Sequence, residues 1–132
     1  MEIELVCYRP RRHFFFSWRL ENIVCIELLR RYKPQFCDIF YYKEDTFQVD
    51  FLVAKYGNVQ ELIQVSYNVS NEKTRAREVR GLVNAAKKLK CKNLTLITFE
   101  TNETIEMEGY TIRVIAAPEG CLGKKAERSI NL

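Results

Sequence analysis

Apolar residues recur along this chain with two different periods, and each period predicts one kind of element. Between Trp18 and Tyr32 they recur at helical spacing; Ser17 is placed to cap this helix and Pro34 to end it. A longer helical stripe covers Ser70–Leu89, with Ser70 or Asn71 as its N-cap. The outward face of this second helix is basic. We expect that face either to be solvated or to lie along a nucleic-acid backbone.

Alternating and strongly apolar stretches between the helices predict strands. These stretches are Asp38–Tyr42, Phe47–Ala54, Val59–Tyr67, Asn93–Phe99 and a final hairpin of Thr104–Met107 and Thr111–Ile115. The second and third strands are joined by Lys55-Tyr56-Gly57-Asn58, in which Gly57 and Asn58 suit positive φ.

This order of elements predicts one α/β domain, of mixed α+β type, over residues 1–132. The second helix connects the third and fourth strands, so we expect a right-handed crossover and a parallel pair within a mixed sheet. Residues 1–17 are expected to form a basic and aromatic N-terminal segment. Residues 120–132 are expected to form a polar tail.

Charge is uneven along the chain. The net charge is +4, yet residues 20–123 contain fourteen Lys or Arg and fourteen Asp or Glu, so the excess lies near the two ends. Arg9, Arg11 and Arg12 are interleaved with aromatic residues, a combination that contacts phosphates and stacks on bases. The alternative is that the aromatic rings cover the core and the arginines are solvated. Further candidate nucleic-acid contacts lie on the second helix: Lys73, Arg75, Arg77 and Arg80.

Several classes of protein are disfavoured by composition. The five cysteines are odd in number and widely spaced, and there is one histidine, so we expect reduced buried thiols and neither a zinc site nor a disulfide framework. The acidic N-terminus does not resemble a secretory signal, and no apolar stretch approaches the length that spans a bilayer. We therefore expect a soluble, cytoplasmic protein that makes no membrane contact.

Asp50 is an acid in the middle of an apolar strand. Period-two alternation puts Gln48, Asp50 and Leu52 on one face of that strand, and puts Gln64 and Ser66 together on the next. A metal-dependent phosphodiesterase needs oxygen ligands for Mg²⁺ on neighbouring strands, and a cation or base to activate water. An acid on one strand and E-x-K on the next provide this arrangement. Here Gln64 and Ser66 stand at the E and K positions.

Three sequence blocks follow one another in the order and spacing of a known family: LENIVCIELLRR, QVDFLVAK and ELIQVSYNVSNEKTRAREVRGLVNAAKKLKCKNLTLITF. Over Leu20–Pro118 the chain resembles the PD-(D/E)XK (restriction-endonuclease-like) superfamily. More specifically, it resembles the DUF4143-type domain found at the C-terminus of many prokaryotic AAA-type ATPases. The resemblance implies a nuclease-like αβββαβ core, which the C-terminal hairpin extends.

Matched position by position, the resemblance makes Glu21 the acid on the first helix and Asp50 the principal metal-binding aspartate. Gln64 and Ser66 take the two informative positions of E-x-K, and Mg²⁺ would be held by Glu21, Asp50 and Gln64. Gln64 offers only a neutral carbonyl, and Ser66 lacks the fixed charge of lysine. The resemblance therefore implies a degenerate site.

Three functions follow as alternatives. The first is a nuclease-like domain that binds DNA or RNA and is catalytically weak or inactive. The second is a protein-interaction module that works with an AAA-type ATPase or dimerises with a second copy. The third is an active Mg²⁺-dependent nuclease, with Lys55, Lys73 or Arg77 as candidates for the missing lysine. An ion pair between Asp50 and an arginine of the second helix would explain its burial without a metal. The sequence contains no P-loop motif, so we expect the chain to be either a free-standing relic of such an ATPase fusion or a separately encoded version of the module.

Overall fold

The computed structural model describes residues 2–5, 15–45, 47–66, 71–99 and 101–117, with side chains from Leu20 onward. Arg9, Arg11, Arg12 and the predicted tail at 120–132 lie outside the described residues. The described part forms two helices and seven strands. The helices are α1 (Phe15–Tyr32) and α2 (Glu72–Leu89); the strands are β1 (Glu2–Leu5), β2 (Asp38–Lys43), β3 (Gln48–Lys55), β4 (Asn58–Ser66), β5 (Leu94–Thr98), β6 (Glu103–Met107) and β7 (Tyr110–Ala116).

The seven strands form one sheet in the order β1-β2-β3-β4-β5-β7-β6. The strands β1 to β4 pair antiparallel, β4, β5 and β7 pair parallel, and β6 returns antiparallel to β7. The predicted mixed sheet is confirmed, and so is the parallel pair that α2 connects. Strand β1 was not predicted, because four residues are too few to establish a period. Within the described residues, neither helix combines the length and apolar character needed to cross a membrane.

The first helix begins earlier than its pattern predicts. It starts at Phe15, so Ser17 lies inside it and the predicted N-cap is wrong. The residues before Trp18 are aromatic and compatible with a helix, and a periodic pattern does not fix where such a helix starts. The other end is as predicted: α1 finishes at Tyr32, and Pro34 lies in the 3₁₀ turn Lys33–Gln35 that follows.

The two helices cover opposite faces of the sheet. Leu82 and Val83 of α2 pack with Leu62 and Leu96, whereas α1 packs on Phe51 and other residues of the opposite face. The N-terminus of α2 is capped by Asn71, whose side chain accepts hydrogen bonds from the backbone N–H groups two and three residues later. Between the two predicted caps, the structure therefore selects Asn71.

Strand β3 contains a β-bulge that the alternation does not predict. Leu52 pairs with Phe40, and Val49 pairs with Tyr42, so β3 has one residue more than β2 over this interval. Val49 and Leu52 consequently share the α2 face of the sheet, and the prediction that Gln48 lies on the same face as Leu52 is wrong. Irregularity of this kind lets a side chain leave the regular ladder. Asp50 lies within this interval.

The two ends of the sheet differ in character. At one end, which we call the cleft end, β4, β5 and β7 finish and α2 begins. At the other, the turn end, lie the β3–β4 and β6–β7 turns. All the described residues with positive φ belong to the turn end: Phe36, Tyr56, Gly57, Lys90, Glu108 and Gly109. Asn58 lies inside β4, so the pair with positive φ in the first turn is Tyr56–Gly57, and the prediction for Asn58 is wrong.

Candidate functional site

Asp50 joins β3 to β4 through hydrogen bonds of its side chain and its backbone. It is 3% exposed; its Oδ2 accepts from the Val65 backbone N–H at 3.0 Å, and its own N–H donates to Gln64 Oε1 at 3.0 Å. The backbone pairing of the two strands starts one residue later, at Phe51 and Ile63. Side-chain hydrogen bonds therefore join the two strands beyond the end of their backbone pairing.

Gln64 links Asp50 to α2. Its Oε1 accepts from Asp50, and its Nε2 donates to a carboxylate oxygen of Glu78. This orientation of the amide satisfies both neighbours, because an N–H group needs an acceptor and a carboxylate needs a donor. Asp50 and Gln64 are thus brought together as the sequence predicts. Their partners are a backbone amide and a glutamate, whereas the sequence interpretation offered an arginine of α2 for Asp50.

Glu78 is a site residue that the sequence interpretation missed. It precedes Leu82 by one helical turn and so borders the buried stripe of α2, which is the signal that could have identified it. Burial raises the pKa of Glu78; the hydrogen bond from Gln64 opposes this shift, and the nearby charge of Asp50 adds to it.

The other two predicted site residues are also buried. Glu21 is buried on α1, one residue after Leu20 of the core on that face of the sheet. Ser66 is buried on β4 and lies beside Thr98 of β5 in the parallel register. Among the described residues, no three His, Cys, Asp or Glu side chains lie close enough together to hold a metal ion.

The donors around Asp50 fit Mg²⁺ poorly in this arrangement. Magnesium demands several hard oxygen ligands in near-octahedral geometry. The amide oxygen of Gln64 already accepts from Asp50 N–H, and Oδ2 of Asp50 accepts from Val65. Two of the oxygens that would face an ion therefore serve the backbone. No catalytic step through a metal follows from this geometry, and Mg²⁺ binding stays a prediction.

A cleft of about 860 Å³ opens next to Gln64, between α2 and the connection from β2 to β3. Its lining comprises Lys43, Glu44, Asp45, Phe47, Gln48, Gln64, Lys73, Ala76, Arg77, Glu78, Arg80, Gly81 and Asn84. On α2, the residues at 73, 77, 80 and 84 are separated by three or four positions, so they form one flank of the helix.

Positive charge dominates this cleft. Lys73 and Arg80 are exposed and form no ion pair with any described residue. Arg77 lies 3.4 Å from Glu78, but its side chain is 75% exposed. The acid Glu44 is paired with Lys88 at 2.6 Å. The cations are accessible, whereas two of the three acids in the lining already have basic partners.

Other cations of α2 are neutralised. Arg75 pairs with Glu103 of β6, and Lys87 pairs with Glu108 at 3.0 Å. Of the four predicted nucleic-acid contacts on this helix, Lys73, Arg77 and Arg80 line the cleft, and Arg75 does not. The basic residues of α2 thus have two kinds of electrostatic surroundings, in the cleft and outside it.

No family model matches the chain, and no solved structure matches it. Over 102 residues the chain is 39% identical to a protein of Methanocaldococcus jannaschii, named Uncharacterized protein MJ1544. The alignment covers 73% of this chain and 22% of the archaeal protein, so the chain spans about a fifth of the length of the curated relative it matches. Membership of the PD-(D/E)XK superfamily, and of its DUF4143-type branch, stays a prediction from the sequence blocks.

Proposed function

We propose that this domain binds nucleic acid through the cleft beside α2, and that Asp50 and Gln64 have a structural role in it. The observation that carries the proposal is the set of accessible cations on one flank of α2: Lys73, Arg77 and Arg80. Phosphate groups are recognised mainly by such lysine and arginine side chains. Two cations outside the cleft offer a contrast within the same helix, since Arg75 and Lys87 are already paired with acids.

The hydrogen bonds of Asp50 support a domain that binds without cleaving. A nuclease of the implied type keeps its strand-borne oxygens for a metal ion, whereas here they complete the junction of β3 and β4. The position of the family lysine holds Ser66, which is buried and carries no charge to stabilise a developing anion. Both features favour the degenerate interpretation of the site.

The test compares two matched double variants of α2. Arg77→Gln/Arg80→Gln removes two cations of the cleft, and Arg75→Gln/Lys87→Gln removes two paired cations that do not line it. Affinity for fluorescent DNA and RNA, single- and double-stranded, is measured between about 50 and 200 mM salt. We expect wild type and the control to share one salt dependence. The slope of log K against log salt should fall by about one for each cation lost from the cleft. Absence of wild-type binding at the lowest salt would overturn the proposal.

The same preparations distinguish the active-nuclease alternative. Cleavage in Mg²⁺ or Mn²⁺ that disappears in Asp50→Ala, while the fold is retained, would establish an enzyme. We expect no cleavage attributable to Asp50, since its carboxylate is bound to the Val65 amide.

The second candidate function is association with another protein, including a second copy or an AAA-type ATPase. Ile23 and Ile26 favour it, because they lie one turn apart on α1 with 42% and 67% of their surfaces exposed. Sedimentation velocity over a concentration series tests self-association. A constant monomer mass would leave the nucleic-acid proposal as the better supported function.

A further inference from the structure

Two large aromatic side chains are exposed at the turn end of the sheet. Phe36 is 73% exposed with φ of 61°, and Tyr56 is 81% exposed with φ of 52°. The left-handed region disfavours bulky residues and is normally occupied by Gly or Asn. Neither ring is buried in the core to offset that cost. Residues kept in such conformations at the surface are candidates for function.

The two residues lie on neighbouring chain segments. Asp38 of β2 pairs with Ala54 of β3. Phe36 and Tyr56 each lie two residues beyond this pair, both at the turn end of the sheet. The Phe36 N–H donates to the Lys33 carbonyl oxygen at 3.0 Å, and the Cys37 N–H donates to the Tyr32 carbonyl oxygen at 3.0 Å. Tyr56 occupies a tight turn between paired strands. Both rings therefore extend from backbone with a defined conformation.

Several lysines lie at the same end of the sheet as these rings. The Nζ of Lys55 lies 5.8 Å from the centre of the Tyr56 ring. Lys90 and Lys92 are exposed in the connection between α2 and β5, which reaches the sheet at this same end. Neither forms an ion pair with a described residue. The acids nearby already have partners: Asp38 lies 3.7 Å from Lys33, and Glu108 lies 3.0 Å from Lys87.

We propose that the turn end is a second nucleic-acid contact, at which Phe36 and Tyr56 stack on the bases of a single strand while Lys55, Lys90 and Lys92 contact its phosphates. This inference rests on the proposed function and adds the class of strand. Accessible aromatic rings among cations are the usual means of binding single strands. A duplex presents its bases stacked on one another, so it offers few faces to these rings. A protein partner is the less favoured occupant, because lysine is depleted at protein–protein interfaces.

The test uses the double variant Phe36→Asn/Tyr56→Asn. Asparagine tolerates the left-handed conformation, so this variant should be at least as stable as the wild type. We expect its affinity for an oligothymidine strand to fall at least about tenfold, since each stacked base contributes about 1–3 kcal/mol. Its affinity for duplex DNA should change much less. Thr104→Asn is the control, because Thr104 is an exposed residue of β6 that belongs to neither proposed contact.

A second readout identifies the contact directly. Photo-crosslinking of the wild type to a bromouridine strand should yield adducts in peptides that contain Phe36 or Tyr56. Unchanged single-strand affinity in the double variant, with the predicted loss in Arg77→Gln/Arg80→Gln, overturns this inference and leaves the cleft proposal intact. Equal losses for single strands and duplex would also overturn it. Failure of both double variants to change binding would overturn the cleft proposal as well.

Discussion

Asp50 is a buried acid whose carboxylate accepts a hydrogen bond from the Val65 amide. The sequence resemblance implies a different role for it, that of a metal-binding aspartate. A buried carboxylate is tolerated where hydrogen bonds replace its lost hydration. The Val65 N–H provides such a hydrogen bond, beyond the point where the backbone pairing of β3 and β4 ends. The hydrogen bond is visible in the structure, and the metal-binding role stays a prediction.

A stability comparison of two Asp50 variants distinguishes these roles. In metal-free buffer, Asp50→Ala should lower the free energy of unfolding by about 1–3 kcal/mol, because the buried Val65 N–H loses its acceptor. Asp50→Asn retains an acceptor oxygen and should lose less. Urea unfolding at neutral pH measures both values. If Asp50→Ala were as stable as the wild type, the hydrogen bond would have no structural value and the metal-binding role would become the better explanation.

Glu61 is a second buried acid, and it lies on the α1 face of the sheet. It is 1% exposed and accepts hydrogen bonds from Thr95 at 2.7 Å and Tyr32 at 2.9 Å, with Arg113 at 3.4 Å. Burial raises the pKa of Glu61 above its ordinary value of 4.5, although the hydrogen bonds and the charges of Arg113 and Arg31 oppose the shift. The folded protein therefore holds this proton more tightly than the unfolded chain does.

The sign of the resulting pH dependence follows from linkage. Where the native state binds more protons, the free energy of unfolding falls as pH rises. The contribution of Glu61 is thus present below its unfolded pKa and is lost as pH rises through the raised value. The Glu61→Gln variant lacks this titrating group. Its free energy of unfolding, relative to that of the wild type, should therefore increase as pH rises above about 4.5. Urea unfolding at several pH values tests this. A relative stability that decreases with pH would contradict it.

At the scale of elements, the sequence patterns located both helices and six of the seven described strands, because helical and strand periods differ clearly over long segments. They did not locate the start of α1, where aromatic residues continue without a break in pattern. The bulge in β3 was also missed. Apolar residues on both sides of Asp50 give no sign of an inserted residue, since the strand is buried on both faces.

The site was predictable only in part. Adjacent strands bring Asp50 and Gln64 together whatever their chemistry, so their proximity followed from the order of elements. The identity of their partners did not follow, because it depends on side-chain hydrogen bonds beyond the end of the backbone ladder. Glu78 and the pairing of the α2 cations depend on the rotation of that helix over the sheet. Periodicity gives the buried stripe of α2, whereas the acids that pair with its cations come from the β2–β3 connection, β6 and the β6–β7 turn.

At the scale of the whole molecule, the two proposed contacts lie at opposite ends of α2. The cleft contains Lys73, Arg77 and Arg80 from the first half of the helix, and the turn end follows its C-terminus. The 18 residues of α2 extend about 27 Å at 1.5 Å per residue. A strand that runs along the whole helix must cover this distance, which corresponds to roughly eight nucleotides at the 3.4 Å spacing of stacked duplex DNA, and to fewer in an extended strand. Two linked contacts on one ligand strengthen binding more than either does alone.

The affinity for single strands should therefore depend on their length. For oligothymidines of about 4 to 12 nucleotides, we expect wild-type affinity to rise steeply until the strand reaches both regions, and then to level off. Short strands should bind the Phe36→Asn/Tyr56→Asn variant as they bind the wild type. The steep rise of affinity with strand length should be absent from the variant, because it has lost the stacking contact at the turn end. Fluorescence anisotropy at fixed salt measures each series. If the two proteins showed the same length dependence, the cleft alone would account for binding, and a path along α2 to the turn end would be wrong.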